Sequence, residues 1–231
     1  RMERSRCEDV VAELRDLADP AAVAGMEHVG ISPEGTLGIS IPVLRRIAGR
    51  LKTDHTLALD LWRTGIHEAR ILAALVDDPR QADEEQMEQW ATDFDSWDVC
   101  DQVCSSLFDR TVFAWTKAAE WSGREEEFIK RAGFVLMAAL AVHDKSAHDQ
   151  AFLELLPVVR REAGDERNFV KKAVNWALRQ IGKRNAALRA AAVRTAQCIA
   201  HDGSRSGRWI AADALRELNS ENVRRRLGAS G

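Results

Sequence analysis

An aspartate and a tryptophan at helical spacing are the residues of this chain that are best arranged for chemistry. Trp97 and Asp101 lie in the stretch FDSWDVCD (94–101), and in a helix they share one face, which continues into apolar residues. A carboxylate there can stabilise a developing positive charge or deprotonate a water molecule, and an indole face attracts cations. The pair therefore indicates a site for a cation. The alternative is a structural ion pair of Asp101 with Arg70 or Arg131.

The elements that must position this pair are predicted to be helices. Proline is scarce, alanine and leucine are abundant, and no long stretch alternates with period two. We predict an all-α fold with helices at 6–18, 20–29, 41–51, 55–63, 66–77, 83–92, 96–108, 112–121, 125–141, 148–163, 167–183, 185–200 and 206–218. No linker rich in proline, glycine or serine interrupts them, so we predict one domain over residues 1–231.

A degenerate repeat runs through these helices. The segments EARILAALVDD (68–78), KRAGFVLMAAL (130–140), KKAVNWALRQI (171–181) and GRWIAADALREL (207–218) each place a cation before an apolar, alanine-rich helix. Irregular spacing of this kind is typical of HEAT-like helix pairs stacked into a superhelical solenoid. Equivalent positions on successive second helices line one concave surface. Trp97, Asp101, Arg131 and Trp176 are therefore expected to converge there.

Charge is distributed unevenly along the chain. Residues 1–123 carry 13 Lys and Arg against 23 Asp and Glu, whereas residues 124–231 carry 20 against 13. Between Arg167 and Arg208 there are ten basic residues and a single acid, Asp202. This segment suggests a surface that faces phosphates. Solvated helix faces are the alternative.

Three blocks of sequence carry a resemblance to a known family. WDVCD (97–101), FIKRA (128–132) and FVKKAVNWALR (169–179) occur in the order found in the AlkD-like DNA alkylation repair family, and GTLGISIPVLRRI (35–47) resembles its N-terminal segment. The resemblance covers roughly residues 37–184. It implies a HEAT-like-repeat fold and a DNA glycosylase that removes positively charged N3- and N7-alkylpurines.

The resemblance also implies roles for individual residues. Asp101 corresponds to the catalytic carboxylate, Trp97 and Trp176 to the two indoles that flank the damaged nucleotide, and Arg131 to a contact with the DNA backbone. Further phosphate contacts are expected from basic residues near the last two blocks. These are Lys130, Lys171, Lys172, Arg179, Lys183 and Arg184.

Two departures from the family keep a second function open. Ser96 stands where members often have another tryptophan, and the chain contains no tyrosine, whereas glycosylase members bring one from their N-terminal helices. Met26, Glu27 and His28 fall near that place. A non-catalytic protein that binds damaged or branched DNA is therefore the second hypothesis. A protein–protein scaffold, the commonest use of helical repeats, is the third.

Other features narrow the expectations further. The four cysteines show no metal-ligand spacing beyond the C-x-x-x-C pair Cys100 and Cys104, which on a helix is more typical of two small buried hydrophobic residues. His28, His67 and His143 form no cluster with cysteines or acids, so we expect no metal. No cofactor is implied. We expect a monomer that binds duplex DNA with alkylated bases and has no membrane partner. The start of the sequence lacks the apolar core of a signal peptide, and a cytoplasmic location fits the cysteine usage. We assign Asp95 and Asp98 to the start of the helix, and Trp62, Trp90, Trp115 and Trp209 to the core.

Overall fold

All regular secondary structure in the described residues is helical. The computed structural model describes residues 5–228, so the outer ends of the predicted domain 1–231 lie outside the described residues. Within them no strand occurs, and the α-helices are α1 (Arg6–Asp16), α2 (Pro20–Glu27), α3 (Ile41–Leu51), α4 (His55–Arg63), α5 (His67–Val76), α6 (Glu84–Thr92), α7 (Trp97–Ser106), α8 (Ala114–Ser122), α9 (Glu127–His143), α10 (Asp149–Glu162), α11 (Asn168–Gly182), α12 (Ala186–Asp202), α13 (Arg205–Leu218) and α14 (Glu221–Arg226).

The thirteen predicted helices are confirmed, with ends that differ from the predictions by at most two residues. Two short elements were not predicted: α14 and a 3₁₀ helix at Phe108–Arg110. Both are too short to show a hydrophobic period. α14 begins where the Ser220 hydroxyl accepts a hydrogen bond from the Val223 amide, so a local side-chain cap sets its start.

Chain contacts divide the protein into two compact units, the first ending at Val112 and the second beginning at Phe113. The prediction of one continuous domain stays a prediction. In the first unit α5 is central and packs against α3, α4 and α7. The indoles of Trp62 and Trp90 stack with their ring centroids 4.0 Å apart, which joins α4 to α6. The core assignment of both tryptophans is confirmed by their burial.

A buried carboxylate anchors the loop before α3. Glu68, in the first turn of α5, is fully buried, and its carboxylate accepts hydrogen bonds from the amides of Leu37, Gly38 and Ile39 at 2.8, 2.7 and 3.2 Å. Gly38 has φ +83°, and a Cβ there would lie 2.3 Å from the Asp19 carbonyl oxygen. The loop therefore needs both glycine at 38 and the acid at 68.

The second unit consists of two rows of helices. α9, α11 and α13 pack side by side in one row, and α8, α10 and α12 pack against them in the other. The contact of α8 with α9 is close because Gly133 has no side chain: a Cβ there would lie 2.4 Å from the Ser122 amide nitrogen. The alanine-rich patterns of the sequence thus correspond to helices that approach one another closely.

Two of the tryptophans assigned to the core behave differently. Trp115 is only half buried, and its Nε1 donates to the Asp144 carboxylate at 3.0 Å. Trp209 is 42% exposed, so its assignment to the core was wrong. It lies near the amino end of α13, the last helix of its row, and an apolar residue in a repeat pattern does not reveal whether a further helix covers that face.

Candidate functional site

Trp97 begins α7 and is held by the chain that follows α2. Its indole Nε1 donates to the carbonyl oxygen of Val29 at 2.9 Å, and the side chain is half buried. This contact joins the start of α7 to the segment that includes Met26, Glu27 and His28. The part of the chain that lacks the aromatic residue of the resembling family is therefore adjacent to Trp97.

Asp101 lies one turn after Trp97 on α7. α7 buries Val99, Cys100, Val103 and Cys104, whereas Asp101 is half buried like Trp97. Burial, Cys100 and the nearby charge of Asp101 hold the pKa of the Cys104 thiol well above its ordinary value, so that group stays neutral. The sequence prediction of a carboxylate at the edge of an apolar face is confirmed by this arrangement.

The start of α7 is also fixed by a buried ion pair that the sequence analysis missed. His67 Nε2 lies 2.8 Å from the Asp98 carboxylate, and both side chains are largely buried. Burial lowers the pKa of His67, but the hydrogen bond and charge of Asp98 outweigh it, so the pKa is raised above 6.5. For Asp98, burial raises the pKa, and the bond to His67 more than offsets this, so the pKa is lowered.

Sequence reasoning did not anticipate this pair. The two residues are 31 apart in the sequence, and only the packing of α5 on α7 brings them together. The assignment of Asp98 to the helix start is correct, since its carboxylate also accepts the Val99 amide at 3.0 Å. Two contacts thus hold the first two residues of α7 in place: the indole of Trp97 contacts Val29, and the carboxylate of Asp98 contacts His67.

A pH dependence of stability follows from this pair. The raised pKa of His67 means that its contribution is complete below pH 6.5 and is lost as the pH rises through the folded pKa. Asp98, with its lowered pKa, stays charged over that range. We expect His67→Gln to lose roughly 1.5–3 kcal/mol at pH 6 and less at pH 8. Denaturant unfolding at both pH values measures this, and an equal loss at both would contradict it.

Arg70 has partners other than Asp101. Its guanidinium lies 3.9 Å from the carboxylates of Asp93 and of Asp95, and 5.1 Å from the centroid of the Trp62 ring. The structure therefore does not favour the alternative in which Asp101 pairs with Arg70. Asp95 lies just before α7, as the sequence analysis assigned it, and its partner is this arginine.

In the second unit, α11 carries the other predicted indole. Residues that are not fully buried recur along one face of α11 at Phe169, Lys172, Trp176, Arg179 and Lys183. This spacing is that of a helix with one partly exposed face. Trp176 is half buried in the middle of that face, in the position expected of a residue available to a ligand.

Arg131 supports the beginning of α11. It is 5% exposed, and its Nη1 donates to the carbonyl oxygen of Phe169 at 2.5 Å. Phe169 lies two helical turns before Trp176 on the same face, so Arg131 helps to fix the helix that carries Trp176. A buried guanidinium in this setting is poorly placed to lie along a DNA backbone, and we do not include Arg131 among the proposed phosphate contacts.

Most of the predicted DNA-binding cations have protein partners. α11 and α13 face each other through a series of polar pairs: Asn175 donates to Asp213 at 2.7 Å, and Arg179 and Lys183 both contact Glu217 at 2.5 Å. Burial raises the pKa of Glu217, and the two cations more than offset this and lower it. Glu217 is therefore an ionised partner of both residues.

The remaining cations divide into paired and exposed ones. Lys130 contacts Glu162 at 2.6 Å and Asp165 at 3.4 Å, and Arg184 donates to the carbonyls of Ala141 and Ala147. Lys171 lies over the Trp209 ring, and Lys172 is exposed. Part of the basic excess between residues 167 and 208 is thus paired with acids outside that segment: Arg167 with Asp165, and Arg179 and Lys183 with Glu217.

Metal and membrane features are not found in the described part of the chain. Among residues 5–228, no three His, Cys, Asp or Glu residues are grouped so that they could hold a metal ion. No helix there is both long and apolar enough to cross a membrane.

The fold and these residues define a class of protein: a HEAT-like helical repeat protein with a carboxylate and an indole one turn apart on α7. The sequence profile described as DNA alkylation repair enzyme matches residues 10–218, and the chain belongs to that family. The resemblance noted from the sequence is therefore confirmed, and so is the fold class.

A solved structure is similar to this chain over most of its length. It represents a new family of proteins related to the HEAT-like repeat DNA glycosylases with affinity for branched DNA structures, with a TM-score of 0.75 and 21% sequence identity over 84% of this chain and 83% of that one. At this identity the similarity concerns the fold. No curated protein matches the sequence.

Proposed function

We propose that this protein is a monofunctional DNA glycosylase that hydrolyses the N-glycosidic bond of positively charged N3- and N7-alkylpurines in duplex DNA. The observation that carries the proposal is the half-buried Asp101 one turn after the half-buried Trp97, in a member of the DNA alkylation repair enzyme family. The resemblance assigns Trp97, in the first unit, and Trp176, in the second unit, to binding the cationic nucleotide through their ring faces.

The chemistry of the reaction suits a carboxylate. An alkylated purine with a positive charge is already a good leaving group, and breaking its bond to the sugar develops positive charge on the sugar. Asp101 stabilises that charge and orients or deprotonates the attacking water. Carboxylates act against the same kind of transition state in glycoside hydrolysis. No Schiff-base lysine is needed for hydrolysis.

The indoles give preference for the charged lesion over normal bases. A cation over an indole face is worth about 0.5–2 kcal/mol, depending on how far it is desolvated. An undamaged purine is neutral and does not gain this energy. For phosphate contacts we retain Lys171 and Lys172, because Lys172 is exposed and Lys171 has an indole rather than an acid as its partner. Lys130, Arg179, Lys183 and Arg184 have structural partners and are not retained.

The test is release of free base from methylated duplex DNA. We expect the protein to release 7-methylguanine and 3-methyladenine, measured by chromatography of the soluble fraction after the DNA is precipitated. Duplex binding should weaken steeply with salt, because phosphate contacts release counterions. Absence of released base from protein that is folded and binds DNA would contradict the glycosylase.

A second function is supported by two observations. The similar solved protein belongs to a family with affinity for branched DNA structures, and the segment beside Trp97 has no aromatic residue. Salt-sensitive DNA binding without base release would favour this non-catalytic binder. Neither binding nor release would favour the protein–protein scaffold.

A further inference from the structure

Trp209 is a large apolar side chain that the second unit leaves open to solvent. It is 42% exposed near the amino end of α13, in the row formed by α9, α11 and α13. One exposed apolar residue is ordinary on a protein surface. Trp209 differs because a lysine lies on its ring: Lys171 Nζ is 5.0 Å from the ring centroid.

The contact belongs to a regular series between two parallel helices. Lys171, Asn175, Arg179 and Lys183 follow one another at intervals of four along α11, and Trp209, Asp213 and Glu217 do so along α13. In the later pairs the α11 side chain meets a carboxylate of α13. In the first pair the lysine meets an indole, so its charge has no carboxylate opposite it on α13.

The surroundings of this first pair are rich in positive charge. Lys172, Arg205 and Arg208 are exposed in the opening turns of α11 and α13. Because the series shows the two helices to be parallel, their amino ends lie on the same side, and each adds a partial positive charge. The nearby acid Glu166 accepts the Ser206 amide at 3.0 Å.

We propose that Trp209, with Lys171 over its ring and Lys172 next to Lys171 in the chain, is a stacking site for an unpaired nucleobase of single-stranded DNA. An exposed indole bordered by cations matches the two parts of a nucleotide: the ring stacks on the base, and the ammonium groups bind the flanking phosphates. Bases in an intact duplex are already stacked on each other and do not offer a free face. Binding of single-stranded DNA at Trp209 is distinct from base release in duplex DNA, which depends on Asp101.

The test compares two oligonucleotides, two variants of Trp209 and one control variant. The probes are a fluorescein-labelled single-stranded 12-mer and a 12-mer of the same backbone in which abasic sites replace the bases. We expect Trp209→Leu to weaken binding of the first by roughly 5- to 100-fold and to leave binding of the abasic strand unchanged. Trp209→Phe should keep most of the affinity. Leu153→Ala is the control, since Leu153 is also exposed, at 38%, but lies on α10 in the other row.

Three results would overturn the proposal. The first is that the unaltered protein does not bind the single strand, and the second is that Trp209→Leu binds it as tightly as the unaltered protein. The third is that Trp209→Leu loses the same affinity for the abasic strand as for the strand with bases. If the indole stacks on a base, removing the indole should have no further effect once the base is absent. Circular dichroism of each variant shows whether it is folded. Base release from methylated duplex is measured in parallel as a separate readout: catalysis depends on Asp101, whereas the difference between the two single strands depends on Trp209, so the two failures can be told apart.

Discussion

Asp101→Asn is expected to lower the rate of base release from methylated duplex DNA by about 100- to 1,000-fold, the usual effect of removing one group that stabilises developing charge. Asparagine has the same shape as aspartate but no negative charge, and it is a poor base. Duplex binding should persist or become tighter, because a negative charge near the phosphates has been removed. Single-turnover release of 7-methylguanine and equilibrium binding to the same DNA measure the two effects separately.

The matched control for this variant is Asp95→Asn. It removes the same charge two residues before α7, at a carboxylate that is well exposed and lies 3.9 Å from Arg70. We expect base release to change by less than about twofold. If both variants release base like the unaltered protein, Asp101 is not the catalytic carboxylate. Thermal melting of both variants shows whether a lost rate reflects lost structure.

Of the substitutions proposed here, Glu68→Ala is expected to lower the free energy of unfolding most. The substitution leaves the amides of Leu37, Gly38 and Ile39 without their acceptor in a buried setting. Each unsatisfied group costs about 1–3 kcal/mol, and the three together should cost roughly 3–5 kcal/mol after local relaxation. That is a large part of the total stability of a typical domain. Denaturant unfolding of the whole protein, followed by a signal from the first unit, measures the change in the free energy of unfolding.

Two further variants define the cause of that loss. Glu68→Gln should fall between the unaltered protein and Glu68→Ala, because its one remaining oxygen can still accept from Gly38 and Ile39. Glu34→Ala removes an exposed acid from the same loop and should cost less than about 0.5 kcal/mol. Amide hydrogen exchange should quicken at residues 37–39 in Glu68→Ala; unchanged exchange there would show that the carboxylate does not hold this loop.

Glu68 and His67 are neighbours that connect the loop to α7. Glu68 holds residues 37–39, and His67 holds Asp98 in the first turn of α7. Trp97 in turn contacts the Val29 carbonyl. The geometry of the predicted site in the first unit thus depends on three contacts that each join distant parts of the chain. We therefore expect substitutions of Glu68 or His67 to change base release as well as stability.

The sequence by itself determined the helices, their order and the residues whose side chains could take part in catalysis or binding. Helical periodicity and local caps depend on neighbouring residues, so thirteen helices were predicted with ends correct to two residues. The relative placement of Trp97 and Asp101 was also predictable, because one turn of helix sets it. The family was evident because its blocks are short, local and in order.

Only the tertiary structure decided which charged side chains are paired and which aromatic side chains are exposed. Arg179 and Lys183 appear in the sequence as part of a basic segment, but Glu217, more than 30 residues later, neutralises them once α13 packs on α11. The partner of His67 is likewise 31 residues away. Trp209 has the same residue type and helical setting as a core tryptophan, and whether it is covered depends on which helix follows it in space. Pairing and burial depend on contacts between distant segments, which periodicity and composition do not encode.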